Sequence, residues 1–302
     1  MSHNNRRWFL QASAAVAAGA TLSTTATRSS LAAELPPGSS MQFGLVTYQW
    51  GRDWDFPTLI KNCAMAEVHG VELRTTHAHA VEPTLSEKQR DDVRRRFADS
   101  PVELVGIGSN ERYDDPNPEV VKKAVEATKA FLRLSHDVGG TGVKVKPDRF
   151  HPNVPREKTI EQIGKALSEL GDYGLGFGQE VRLEVHGQCA ELPTIKAILE
   201  VADNDNVKVC WNSNPQDLQG EGLAHNFGLV RPSFGMTAHI HELNSDQYPY
   251  AELFRLLVAS DYEGWLLLEA SSEPADRVAA LTEQRKLFQQ FIAAAQKQVA
   301  GK

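Results

Sequence analysis

The chain of 302 residues has only three cysteines, Cys63, Cys189 and Cys210. Their number is odd and no spacing suggests a disulfide framework, so they read as buried thiols. Basic charge is also short: 32 Lys and Arg face 39 Asp and Glu, a formal charge of −7. An acidic protein lacks the footprint needed to grip a phosphate backbone, so no nucleic-acid partner is expected. No apolar run is long enough to span a bilayer, and no stable membrane anchor is expected. Nor does a glycine-rich dinucleotide fingerprint follow the first strand-like segment. What remains is ordinary globular material, 41% hydrophobic and 24% charged, ample for one large domain or two small ones.

Residues 1–33 stand apart. "NNRRWFLQASAAVAAGATLSTTATRSSLAA" places Arg6 and Arg7 before Trp8, Phe9 and Leu10, followed by a weakly apolar alanine-rich stretch. This order resembles a twin-arginine export signal, with cleavage expected near "SLAAE". The resemblance implies the twin-arginine export machinery as a partner and a periplasmic or otherwise extracytoplasmic location. That route carries folded proteins, often with a cofactor already loaded. Loss of residues 1–33 removes three arginines and no acids, taking the charge from −7 to −10. Residues 34–40, "ELPPGSS", read as a polar linker and residues 298–302 as a tail.

Between them, residues 41–297 alternate short β-rich runs with longer helical patterns. "MQFGLVTYQW", "GVELRT", "VELVGIGS", "GVKVKP", "EVRLEVHGQ", "VKVCWNS", "GMTAHIHELN" and "GWLLLEAS" are the strand candidates, each followed by a helical pattern. Eight units of about 32 residues imply parallel pairing and closure into a (β/α)8 TIM barrel, with a doubly wound open sheet as the competitor.

Barrel enzymes carry their sites where strands give way to βα loops. Glu72 and Arg74 end the second strand, Lys144 and Lys146 the fourth, Glu184 and His186 the fifth. Asn212 and Asn214 follow on the sixth, His239 and His241 on the seventh, Glu269 on the eighth. Oxygen and imidazole donors converging from four successive strands suit a divalent ion such as Mn²⁺, Mg²⁺, Co²⁺ or Zn²⁺. Such an ion also tolerates two buried carboxylates that would otherwise repel.

"LEVHG", "HIHELN" and "LLLEAS" together resemble the sugar phosphate isomerase/epimerase superfamily, the xylose isomerase-like barrels, and the likeness spans residues 41–297. It implies metal ligation by Glu184, Asn212, His241 and Glu269, with Glu184 and Glu269 doubling as acid/base groups. Asn212 stands where the family usually has aspartate, a weaker, uncharged ligand. His186 points the same way as Glu184 and reads as an acid/base or substrate contact. Lys146 reads as an oxyanion or hydroxyl partner. Glu72 and Arg74 form an ion pair or line the pocket, with His239 and Asn214 beside the substrate.

The resemblance implies proton abstraction alpha to a sugar carbonyl through an enediolate, hence isomerase or epimerase activity on a sugar or keto-sugar. Export points to a second outcome, a keto-glycoside lyase or deglycosidase on the same barrel. Asn212 supports a third, a sugar-binding barrel without turnover. A nuclease on this barrel is disfavoured by the acidic charge. A homo-oligomer is left open.

Overall fold

The computed structural model describes residues 35–301, so the export signal, Glu34 and Lys302 lie outside the described residues. Sixteen elements alternate: β1 (Gln42–Val46), α1 (Phe56–Met65), β2 (Gly70–Arg74), α2 (Glu87–Ala98), β3 (Glu103–Arg112), α3 (Pro118–Val138), β4 (Gly142–Lys146), α4 (Arg156–Leu175), β5 (Glu180–Glu184), α5 (Leu192–Ala202), β6 (Val207–Cys210), α6 (Leu223–Val230), β7 (Thr237–Ile240), α7 (Tyr250–Ala259), β8 (Trp265–Leu268) and α8 (Arg277–Ala300). The helix starts are where the sequence marks them. Asp55, Asn117 and Asp276 each accept a main-chain N–H of the following turn, and the Ser86 N–H and hydroxyl both donate to Gln89 Oε1. The last helix runs on to Ala300, into the stretch read as a tail.

All eight strands pair in parallel, in the order β6-β5-β4-β3-β2-β1-β8-β7. The ring is completed between β6 and β7 by two isolated bridges, Val209 to Phe234 and Asn212 to His239. An open doubly wound sheet is thereby excluded. Strand alternation sorts the side chains. Leu45, Val71, Leu73, Val143, Val145, Val181, Leu183 and Ile240 face the helices and join the main apolar core. A smaller cluster, Val46, Val105, Trp265 and Leu267, forms apart from it.

The barrel interior is otherwise polar. Near the amino ends of the strands, Arg182 is fully buried, donating to Glu180 Oε2 (2.8 Å), Thr141 Oγ1 (2.6 Å) and the Val105 carbonyl (3.2 Å). It fits because Gly106 and Gly142 face it without a side chain. This plug closes the amino-terminal end, so the next polar layers collect at the carboxyl-terminal mouth.

Candidate active site

Adjacent polar layers come from β2, β4, β5, β7 and the segments after β6 and β8. Lys144 and Glu184 form an ion pair at 2.8 Å, with both side chains shut off from solvent. Asn212 Nδ2 donates to Glu184 Oε1 at 3.0 Å and to Glu269 Oε2 at 3.1 Å. His239 sits in the middle. Its Nδ1 is 3.3 Å from Glu184 Oε1 and 3.6 Å from Glu269 Oε2, and its Nε2 is 3.3 Å from Glu72 Oε1. Arg74 reaches Glu269 Oε1 at 3.5 Å, donates to Asn110 Oδ1 at 2.7 Å and lies over the Tyr48 ring.

Burial would neutralise these carboxylates, but the cations around them win. Glu184 is held well below the usual carboxylate range by Lys144 and His239, against its burial. Glu269 is brought down to about 2 by His239 and Lys144 against the same burial and the repulsion of Glu184. For His239, burial disfavours the imidazolium, yet Cys210, Glu72 and Glu184 reverse that and raise its pKa well above the ordinary value.

One atom each from Glu184, His239 and Glu269 lie within 4.8 Å of one another, all buried, a grouping that can hold a divalent ion. Further atoms around it lack hydrogen-bond partners: Asn212 Oδ1, both His239 nitrogens and both Glu72 oxygens. Unsatisfied buried oxygens fit a cation better than they fit empty protein, and an ion held there would take the place of the His239 proton. Asn212 can meet that cation only through Oδ1, the atom now without a partner.

Of the four residues expected to ligate an ion, three are brought together. Glu184, Asn212 and Glu269 converge, but His239 joins them and His241 does not. The His241 ring is tied through Nδ1 to the Glu269 carbonyl at 2.9 Å, and its main-chain N–H donates to Tyr250 Oη at 3.0 Å. The reason is register: the Asn212–His239 bridge sets His239, not His241, level with Asn212. Glu72 and Arg74 do not pair with each other either. Glu72 lies under the site against His239, while Arg74 belongs to Glu269. Asn214 is consumed by the scaffold, donating to the Val185 carbonyl at 2.6 Å while its N–H donates to Asp217 Oδ2 at 3.0 Å.

His186 stands just beyond β5, with Nδ1 3.1 Å from Asp148 Oδ1. Asp148 was not singled out from sequence. It sits in the β4–α4 loop at φ +65°, held by Arg112 Nη1 on Oδ2 (2.6 Å) and by the Gln188 N–H on its carbonyl (2.7 Å). Gly187 is required beside it, since a Cβ there would lie 2.3 Å from the Asp148 carbonyl oxygen. A carboxylate that directly follows a strand-end "VKP" was the available signal. Burial lowers the His186 pKa, leaving a neutral ring whose Nδ1–H goes to Asp148. Lys146 is 7% exposed and, unlike Lys144, makes no ion pair among the described residues.

Residues 60–291 match the family described as xylose isomerase-like TIM barrel, and residues 3–23 match the twin-arginine translocation pathway signal sequence. No curated protein sequence matches the chain. Among solved structures, the barrel is similar to L-ribulose 3-epimerase (15% identity, TM-score 0.73, covering 86% of this chain and 97% of that one). It is also similar to 3-keto-D-glucoside 4-epimerase, YcjR, from E. coli (15% identity, TM-score 0.70, 83% and 99% covered). A third likeness is to IolI protein with a bound zinc atom (13% identity, TM-score 0.68, 84% and 98% covered). At these identities the likeness concerns the fold. No helix among the described residues is long and apolar enough to cross a membrane. The chain therefore belongs to the xylose isomerase-like TIM barrel family and carries a twin-arginine signal for export from the cytoplasm.

Proposed function

We propose that this protein is a divalent-metal-dependent sugar isomerase or epimerase that moves a proton at the carbon alpha to a sugar carbonyl. The observation that carries the reading is the convergence of Glu184, His239 and Glu269 within 4.8 Å at the carboxyl end of the barrel. Glu184, His239, Glu269 and Asn212 Oδ1 would hold the ion, which when bound supplies Lewis acidity toward a carbonyl oxygen.

The residues divide the remaining work. Glu269, at the rim and ionised at neutral pH, takes the alpha proton. Glu184 receives a proton from the Lys144 ammonium 2.8 Å away and delivers it to the carbon from its own side, after which Glu269 releases its proton to solvent and Lys144 takes one up. His186, with Nδ1–H committed to Asp148, offers its Nε2 lone pair to a substrate hydroxyl. Arg74 keeps Glu269 oriented. The export signal favours a second outcome from the same first step, loss of a group beta to the carbonyl, because phosphorylated sugar intermediates are scarce outside the cytoplasm.

The test is incubation of metal-loaded protein with keto-sugars and oxidised glycosides in deuterated water. Solvent deuterium at the alpha carbon supports the reading, and product identification separates epimer from elimination product. Absence of exchange with every substrate tried, in protein shown to bind the ion, leaves a sugar-binding barrel instead.

A further inference from the structure

Three carboxylates and three fixed cations meet at the barrel mouth: Glu72, Glu184 and Glu269 against Lys144, Lys146 and Arg74. Two of the cations are spoken for. Lys144 is 2.8 Å from Glu184, and Arg74 serves Glu269 (3.5 Å), Asn110 (2.7 Å) and the Tyr48 ring. Lys146 is on the same face of β4 as Lys144, two residues and so about 6–7 Å nearer the mouth. It is 7% exposed, and no carboxylate among the described residues lies within ion-pair distance of its Nζ. Burial, with Lys144 next in effect, brings its pKa down to about 8, and the carboxylates of Glu184 and Glu269 do not make up the difference. The side chain is largely enclosed while its ammonium keeps solvent access without a counter-ion, a position where a ligand can supply the missing charge.

We propose that the substrate carries a carboxylate and that Lys146 pairs with it, making the ligand class sugar acids, uronates or keto-aldonates, rather than neutral sugars. This rests on the reading of the mouth as a sugar site, and the charge balance points the same way. The three carboxylates balance the three fixed cations, and His239 gives up its proton to an ion it holds, so a bound divalent ion leaves the cavity positive, an excess that a neutral sugar does nothing to offset and one carboxylate reduces. Phosphate is the poorer fit, because a dianion calls for several free donors and Lys146 is the one unpaired cation of this cluster.

The experiment uses the purified exported protein and three matched pairs: D-glucose with D-glucuronate, D-galactose with D-galacturonate, and D-fructose with D-fructuronate. Calorimetric titration reads affinity directly and needs no turnover. At least one acid is expected to bind about 10- to 100-fold more tightly than its neutral partner, the range of one charge-assisted hydrogen bond. Lys146→Met is expected to abolish that preference by weakening the acid far more than its neutral partner, and Lys146→Arg to keep it. Since Lys146→Met removes an unpaired charge from a buried place, it is expected to fold. Equal affinity within every pair, no binding of any acid, a preference that survives Lys146→Met, or tighter binding of D-glucose 6-phosphate than of D-glucuronate overturns the proposal. Binding and exchange fail separately. Acid preference without deuterium exchange sinks only the chemistry, and exchange with neutral keto-sugars but no acid preference sinks only this inference.

Discussion

Lys144 Nζ and Glu184 Oε2 lie 2.8 Å apart inside the barrel, with 0% and 1% of their side chains exposed. Removing one partner strands the other as a buried charge. Lys144→Met is expected to destabilise the fold by about 3–5 kcal/mol in chemical denaturation, and a second change, Glu184→Gln, to restore most of it. A Lys144→Met protein as stable as the parent would mean that Glu184 finds its cation elsewhere.

The His186–Asp148 hydrogen bond gives a second expectation. Asn tolerates the positive φ of position 148, so Asp148→Asn keeps the loop but loses the charged acceptor that orients the ring. Deuterium exchange into substrate should fall by about 10- to 100-fold with little change in substrate affinity. A change confined to affinity would assign Asp148 to binding instead.

Asn212→Asp adds a third carboxylate beside Glu184 and Glu269. Divalent-ion affinity, measured by titration with Mn²⁺, should rise by about tenfold or more, while the chelator-treated protein should melt at a lower temperature than its parent. Unchanged affinity would place the ion away from Asn212.

Asp217 predicts the pH dependence of folding. Its Oδ2 accepts from Tyr248 Oη (2.7 Å) and the Asn214 N–H (3.0 Å), while Oδ1 is buried without a partner. Burial raises its pKa from 3.8 to about 7. The folded protein therefore keeps a proton that the unfolded chain releases, and this contribution is complete below about pH 4 and lost as pH rises through 7. The loss is on the order of 4 kcal/mol, and Asp217→Asn should flatten the slope of stability between pH 4 and pH 7. Glu269 works in the opposite sense: its folded pKa of about 2 gives stability present above about pH 4.5 and lost toward pH 2.

The barrel was legible because period-two and period-3.6 patterns alternate eight times, with caps such as Asp55 and Asn117 marking the switches. Glu184, Asn212 and Glu269 were legible as strand-end donors. What local pattern cannot carry is depth. His239 and His241 share one face, and which of them meets the carboxylates depends on the stagger of β7 against β6, a property of the closed ring. Lys144 and Lys146 pose the same difficulty, as only the position of Glu184 on the neighbouring strand decides which lysine it takes. Asp148 matters through a loop geometry shared with Gly187, 39 residues later in the chain, and no nearby spacing encodes that.

Cys63, Cys189 and Cys210 are all unpaired and enclosed by the finished fold. Burial lifts the thiols of Cys63 and Cys189 to about 12, which suppresses the thiolate needed for exchange. A protein sent outward already folded meets an oxidising compartment with its sulfur sealed away. Threaded across as an open chain, the same molecule would present three reactive sulfhydryls at once, and whichever two joined, the third would be left to link one molecule to another.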